Sequence, residues 1–294
     1  MADTRLFVLL ARETPKAVVF RRGPSRWVQL LTWNTATDAF EAGQWLKGRI
    51  YERRCDLTPD GDLLVYFAAN YHAPYFSWTA VSRPPYLSAL ALWPKGDGWG
   101  GGGHFDSATT LALNHRAAEM TLAGGFELPS WLTVRPFGEY AGGGEDDPIW
   151  PARLARDGWV LASAGRVARK SRKAKVWIEL DPPIVWEKRH PLAPERYVLQ
   201  MTISGLKEMR GTWYVTEHRV LAGGAESIAL GRTEWADWGG DGHLLFSAGS
   251  SLYRLPFAGG ALAPQSELRT IIDLAESEFA PREAPPDALR WPEG

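Results

Sequence analysis

The chain has 294 residues and carries Lys+Arg 33 against Asp+Glu 34, a formal net charge of −1. That balance excludes a whole-chain field strong enough to attract polynucleotide or an anionic bilayer, so neither nucleic acid nor membrane is expected as a partner. Its 30 glycines, 21 prolines and 12% aromatics suit many short strands joined by tight turns. No sustained 3.6-residue apolar periodicity competes with them, so the expected fold is all-β.

In chain order, the apolar run Leu6 to Ala11 is too short for a signal h-region or a membrane span and reads as a first strand over Phe7–Leu10. Strands follow at Ala17–Phe20, Trp27–Trp33 and Phe40–Leu46, with turns at Arg22–Ser25 and Asn34–Asp38, giving one four-stranded unit. A second unit runs from Arg49 through Leu57-Thr58-Pro59-Asp60-Gly61 to strands at Phe76–Val81 and Leu87–Trp93, and closes at the glycine run Gly96–Gly103. Here the spacing stretches, which implies an enlarged loop connection. Within Ser107–Ala123 a strand at Thr109–Leu113 is expected first, then a helical turn after Arg116. A third unit holds strands near Leu132–Val134, Trp159–Leu161, Val176–Leu180 and Ile184–Trp186, and a fourth holds Tyr197–Ile203 and Trp213–Thr216. The fifth carries Ser251–Leu255 and a last strand at Leu268–Leu274, after which Pro281, Pro285, Pro286 and Pro292 extend a tail from about residue 281.

Three segments put Asp-Gly directly before an apolar run: Asp60-Gly61, Asp157-Gly158 and Asp241-Gly242. Glycine admits a positive φ and aspartate bonds back to the turn backbone, so each is expected to be a hairpin turn. The glycines lie 97 and 84 residues apart, each about twice the ~40–50 residues of a four-stranded propeller blade. The fifth unit, through Trp238, Asp241, Gly242, Leu245, Phe246, Leu252 and Tyr253, resembles the bacterial Tol-type, WD-like β-propeller repeat, and Leu57–Gly61 with Leu64-Val65-Tyr66 matches the same pattern in the second unit. The resemblance implies a five-bladed β-propeller, with six blades as the alternative, formed by residues 1–294 as a single domain. It implies architecture and no activity, because that repeat serves binding modules, peptidase gates and assembly platforms alike.

The single cysteine, Cys55, excludes an internal disulfide; it reads as a buried inert thiol and makes the cytoplasm the expected compartment. Most of the 15 tryptophans are expected to fill the wedges between sheets. The histidines at 72, 104, 115, 190, 218 and 243 show no metal-ligand spacing, so neither metal nor cofactor is expected. Gly96–Gly103 lacks the Lys-Ser/Thr of a phosphate loop and reads as a mobile loop. Glu145-Asp146-Asp147 offers paired carboxylates, and Arg166, Arg169, Lys170, Arg172, Lys173 and Lys175 form a basic hairpin tip that a phosphate-bearing partner could grip. Two long loops rich in rings, Tyr71 to Tyr86 and Gly96 to His104, make the expected binding residues Tyr71, His72, Tyr75, Trp78, Trp99 and His104. The resulting expectation is a non-catalytic binding or scaffolding propeller that recognises a protein or small ligand on one ring face. The alternative is a hydrolase of glycosidic or related bonds with carboxylates in the central funnel.

Overall fold

The computed structural model describes residues 4–23, 26–209 and 211–293. Pro24 and Ser25 of the expected turn, and the first three residues, lie outside them. The protein is all-β, with several antiparallel sheets and, among the described residues, one α-helix, Ile149–Arg156. Its chain divides into two compact units, residues 7–153 with 278–294, and residues 154–277 with the chain up to Leu6.

In the first of these units, strands Lys16–Arg22, Trp27–Asn34 and Ala39–Lys47 follow Arg5–Leu10 in a sheet whose order is the chain order, as the turn spacing predicts. The second sheet combines Arg49–Ile50, Asp56–Leu57, Leu64–Ala69, Ser77–Ser82 and Ala89–Pro94. Its Leu64–Ala69 strand is buried along its whole length, which is why it reads as an unbroken apolar run rather than an alternating one. The expected loop connection after it is instead a third sheet. Gly103–Ser107 pairs antiparallel with Thr110–Leu113, and Thr133–Pro136 adds in parallel. Phe105, Leu111 and Leu113 drive that sheet, because they join Leu63, Val65, Val81, Trp93 and Leu132 in one buried cluster. The helical turn expected after Arg116 is the 3₁₀ turn Ala117–Glu119.

The proline-rich tail lies along this unit. Phe279 packs on Trp27 with centroids 4.4 Å apart, Gln44 donates to the Arg282 carbonyl at 3.1 Å and Arg83 to the Asp287 carbonyl at 3.0 Å. Trp291 then meets Trp131 edge-on at 5.9 Å and donates to the Glu127 carbonyl. The tail therefore touches elements of all three sheets or their connections.

The other unit is built on a six-stranded sheet of Trp159–Ala164, Val167–Lys170, Val176–Arg189, Tyr197–Glu208, Tyr214–Ala222 and Ala225–Arg232. The expected third and fourth units thus share one sheet from Trp159 onward, while the strand expected near Leu132–Val134 belongs to the sheet of Thr110–Leu113. The two strands expected at Val176–Leu180 and Ile184–Trp186 are one strand, since Pro182 and Pro183 fall where its register against Tyr197–Glu208 shifts, so their missing N–H groups cost no ladder bond. A four-stranded sheet of Trp235–Trp238, Leu244–Ala248, Ser251–Leu255 and Arg269–Asp273 completes the unit with the small ribbon Phe257–Ala258 and Ala261–Leu262. Lys188 pairs with Asp237 at 2.6 Å and the Trp238 indole donates to the Lys188 carbonyl, tying these two sheets together.

Two of the Asp-Gly turns are the same structure. Asp60 accepts from the N–H of Asp62, Asp241 accepts from that of His243, and both glycines have positive φ, +77° and +83°. The third is a different object. The residues before Asp157 are helical, and Gly158 at φ +88° ends the helix with its N–H on the Ala155 carbonyl. Glycine serves both roles through the same left-handed backbone, so the dipeptide alone does not separate a hairpin from a helix stop.

Candidate functional site

The hairpin between Leu64–Ala69 and Ser77–Ser82 presents the first aromatic loop. Its ends are closed on themselves: the N–H groups of Asn70 and Tyr71 both donate to the Phe76 carbonyl, that of Phe76 to the His72 carbonyl, and the Asn70 side chain accepts from the N–H of His72. Tyr71 and Phe76 both occupy the left-handed region, at φ 59° and 61°, a conformation that costs a side-chain-bearing residue of order 1–3 kcal/mol and persists only where surrounding bonds enforce it. The loop between them is thereby held in one shape, with His72, Pro74, Tyr75 and Trp78 lining a groove of about 270 Å³ whose other walls include Leu46, Tyr66, Asn70 and Leu87. Tyr66 forms the buried side. Its hydroxyl donates to the Leu87 carbonyl at 2.6 Å and receives the Trp78 side chain, which fixes the indole, and burial raises the phenol well above its ordinary pKa. The groove is therefore walled by rings and kept polar only at its rim.

Of the six expected binding residues, the groove unites His72, Tyr75 and Trp78. Tyr71 is 58% exposed beside it, with its hydroxyl 2.7 Å from that of Tyr51; Tyr51 titrates at about 12, raised first by burial and then by that bond. Trp99 and His104 are not part of it. Trp99 stands 62% exposed in its own loop. His104 lies on the Gly103–Ser107 strand, 7% exposed, facing Phe137 at 5.8 Å and Asp106 at 3.2 Å. The expectation that His104 belongs to a surface loop is corrected, since the strand that carries it packs its neighbour Phe105 into the core.

The glycine run is exposed at its start and buried over Gly100–Gly103. Arg54, only 2% exposed, donates to the carbonyls of Gly98 at 2.8 Å and Gly100 at 2.7 Å and to Asp146 at 3.0 Å. Its guanidinium also lies over the rings of Tyr51 and Phe67. The N–H of Gly101 donates to the Asn114 carbonyl, that of Asn114 to the Gly102 carbonyl, and the N–H of Gly102 to the Thr79 hydroxyl. A Cβ on Gly102 would come within 2.2 Å of the Arg54 carbonyl, so the backbone approaches as only glycine permits. This places the expected carboxylate pair as well. Asp146 is the partner of Arg54, and the Asp147 carboxyl is pushed up by burial and then by Asp146.

A second pocket, of about 370 Å³, is lined by Lys16, Trp33, Phe40, Glu41, Asp62 and Arg83 among others. Trp33 and Phe40 stack at 5.6 Å, and Lys16 is ion-paired with Asp62. Sequence reading missed this site and the Tyr66, Asn70 and Leu46 walls of the groove, because their residues come from different strands. Asn70 alone gave a signal, as a turn-forming residue closing an apolar run. The expected basic tip is a hairpin end, with the N–H of Ser171 on the Trp177 carbonyl. Cys55 is fully buried and its thiol pushed up by that burial. Among the described residues, no group of His, Cys, Asp and Glu is placed to hold a metal ion, and no helix is long and apolar enough to cross a membrane.

No family model matches the chain, and neither the curated proteins nor the solved structures compared with it give a match.

Proposed function

We propose that the protein is a non-catalytic binding module of propeller type whose ligand enters the groove of His72, Tyr75 and Trp78. The observation that carries this reading is the groove itself: a self-closed loop offers two rings and an imidazole whose backbone needs no reordering on binding, so little entropy is lost. A volume of about 270 Å³ lies just below the ~300–1,000 Å³ usual for drug-sized ligands. The occupant is then one ring-sized group, a small molecule or the anchoring side chain of a protein partner. The groove's lining holds no carboxylate among the described residues, which favours recognition over acid–base chemistry there. Repeated meanders and the matching Asp60-Gly61 and Asp241-Gly242 turns support the propeller assignment, in keeping with the resemblance to Tol-type repeats, and cytoplasmic residence is part of the same proposal.

A glycosidic hydrolase is the second reading, favoured by the pocket that gathers Glu41 and Asp62 with Trp33 and Phe40. One experiment separates them. Partner capture from the native host with wild-type protein and with Tyr75→Ala/Trp78→Ala is expected to lose its specific partner only in the double variant. Turnover of chromogenic glycosides that disappears in Glu41→Gln or Asp62→Asn, with capture unaffected by the groove variant, establishes the hydrolase instead.

A further inference from the structure

The balanced charge of the whole chain conceals a local extreme in residues 166–175, where six side chains are basic and none is acidic. The structure puts them at the end of the six-stranded sheet, on the turn between Val167–Lys170 and Val176–Arg189, where Arg166, Arg169, Lys170, Arg172, Lys173 and Lys175 are all exposed. Some of this charge is neutralised in place: Arg169 is held bidentate by Glu179, and Lys175 lies 3.7 Å from Glu208, which Arg232 shares. Lys170 and Lys173 are in no ion pair among the described residues.

The remaining cations are arranged by indoles. Arg172 lies over the Trp177 ring at 4.9 Å, Lys207 lies over the same ring at 4.4 Å, and Lys207 is also 5.8 Å from the ring of Trp213. Lys207 reaches that place from a left-handed backbone, φ 58°, a conformation that side-chain-bearing residues adopt only under constraint. The result is a row in which positive charge and flat ring alternate: Arg172, Trp177, Lys207, Trp213. Fixing an arginine and a lysine on a ring removes rotamer freedom before any ligand arrives, so less is lost on binding.

We propose that this hairpin end binds the phosphodiester backbone of single-stranded nucleic acid. Charge alternating with aromatic surface is the chemistry that tracks a flexible polyanion while giving its bases a place to stack. An anionic bilayer fits less well, because the turn Ser171-Arg172-Lys173-Ala174 offers no large apolar side chain and the exposed apolar groups beside it, Val167 and Met209, are single residues rather than an apolar face. The field is short-ranged, since a neutral chain adds nothing beyond a Debye length of ~8–10 Å, so binding is expected to be local and strongly salt-dependent. The site lies in residues 154–277 and does not depend on the groove of the other unit.

The test is fluorescence anisotropy of a labelled oligothymidine, titrated with the full chain over a salt series. Four phosphate-neutralising cations, Lys170, Arg172, Lys173 and Lys207, predict a slope of log K on log salt of about −3, from roughly −0.7 per neutralised phosphate. Lys170→Ala/Lys173→Ala changes only exposed side chains and is expected to halve that slope and weaken binding on the order of tenfold. Trp177→Leu is expected to weaken binding without removing any charge, with partial recovery in Trp177→Phe, a readout a merely electrostatic patch does not give. Arg189→Ala, on an exposed residue elsewhere in the unit, is the control. Absence of salt-dependent binding by the wild type, or equal binding by the lysine double variant, overturns the proposal. So does retention on phosphatidylserine vesicles that needs Lys170 and Lys173 while oligothymidine does not bind.

Discussion

The two ring-bearing loops of the first compact unit differ in what holds them, one rich in aromatic residues and the other in glycine. The segment 70–78 keeps its rings at the surface because its bonds are local, from Asn70, Tyr71 and Phe76 to one another. The segment 100–104 is buried because a distant residue, Arg54, supplies donors to the Gly98 and Gly100 carbonyls and Thr79 supplies an acceptor to the Gly102 amide, while Trp99 stays exposed. The two meet at Ser77, whose hydroxyl donates to the Asp97 carbonyl at 2.5 Å and whose carbonyl accepts from the N–H of Gly96. The lesson is that glycine content sets what a loop's backbone is able to do, while the side chains it finds decide whether it stays open.

The comparison breaks first at Arg54. Arg54→Ala removes an ion-pair partner of Asp146 and the guanidinium donors to two carbonyls in a buried site, and is expected to cost about 3–5 kcal/mol, read as a large fall in the melting temperature. A change of less than about 1 kcal/mol would show that the loop packs without its clamp.

Glycine substitutions sharpen the point at the turns. A Cβ at Gly242 meets the His190 ring at 2.8 Å and Phe257 at 3.0 Å, and one at Gly61 meets the Lys16 and Ala11 Cβ atoms at 2.9 and 3.0 Å; at Gly158 the nearest atom is the end of Lys188, 3.8 Å away. Gly242→Val and Gly61→Val are therefore expected to lose more than about 2 kcal/mol, and Gly158→Val only the ~1–2 kcal/mol of its left-handed backbone. Equal losses at all three by chemical denaturation would mean that the crowding around the two hairpin turns relaxes freely.

Acid provides a milder perturbation. His115 donates through Nδ1 to the Glu119 carbonyl and accepts through Nε2 from the Thr79 hydroxyl, which in turn accepts from Gly102. Burial lowers its pKa below the usual 6.5. His190 is lowered for the same reason; its Nδ1 accepts from the N–H groups of Leu192 and Ala193 while Nε2 donates to Gly242. Both rings are favoured neutral in the folded state, so the unfolded chain takes up protons first as pH falls. Their stabilisation is present above about pH 6.5 and is lost progressively below it, for His115 with a slope of at most ~1.4 kcal/mol per pH unit. Melting temperatures measured downward from neutral pH are expected to fall, and a flat profile from pH ~7 to ~5 contradicts the assignment of neutral buried rings.

The smallest effect on stability is expected where the effect on binding is greatest. Trp78→Ala removes a wall of the groove and is expected to weaken partner capture at least about tenfold, in line with the cost of losing an aromatic anchor, whereas the exposed Trp99→Ala is expected to change neither capture nor melting temperature. Loss of the partner in the Trp99 variant alone moves the interaction surface to the glycine loop.

The all-β class, every strand of the first sheet, the strand and a helical turn within Ser107–Ala123, and the hairpin that carries the basic tip were legible in the sequence. These follow from local causes: short apolar runs bounded by turn residues, turn chemistry at Asp60-Gly61 and Asp241-Gly242, and β-propensity at Thr109–Leu113. The sequence also singled out His72, Tyr75 and Trp78, because rings in a hairpin loop are visible in one short stretch. Not legible there were the burial of His104, the clamping of Gly98–Gly103, the helix stop at Asp157-Gly158 and the joining of residues 159–232 in one sheet. Apart from the helix stop, whose bond to Ala155 is local, each of those depends on a residue far away along the chain. Arg54 reaches across 44 residues to Gly98 and 92 to Asp146, Phe105 finds the Leu63 cluster, and Val176–Arg189 runs through two prolines because its partner strand shifts register beside them. A local pattern records what a segment tolerates, and long-range burial and hydrogen bonding choose among the tolerated states.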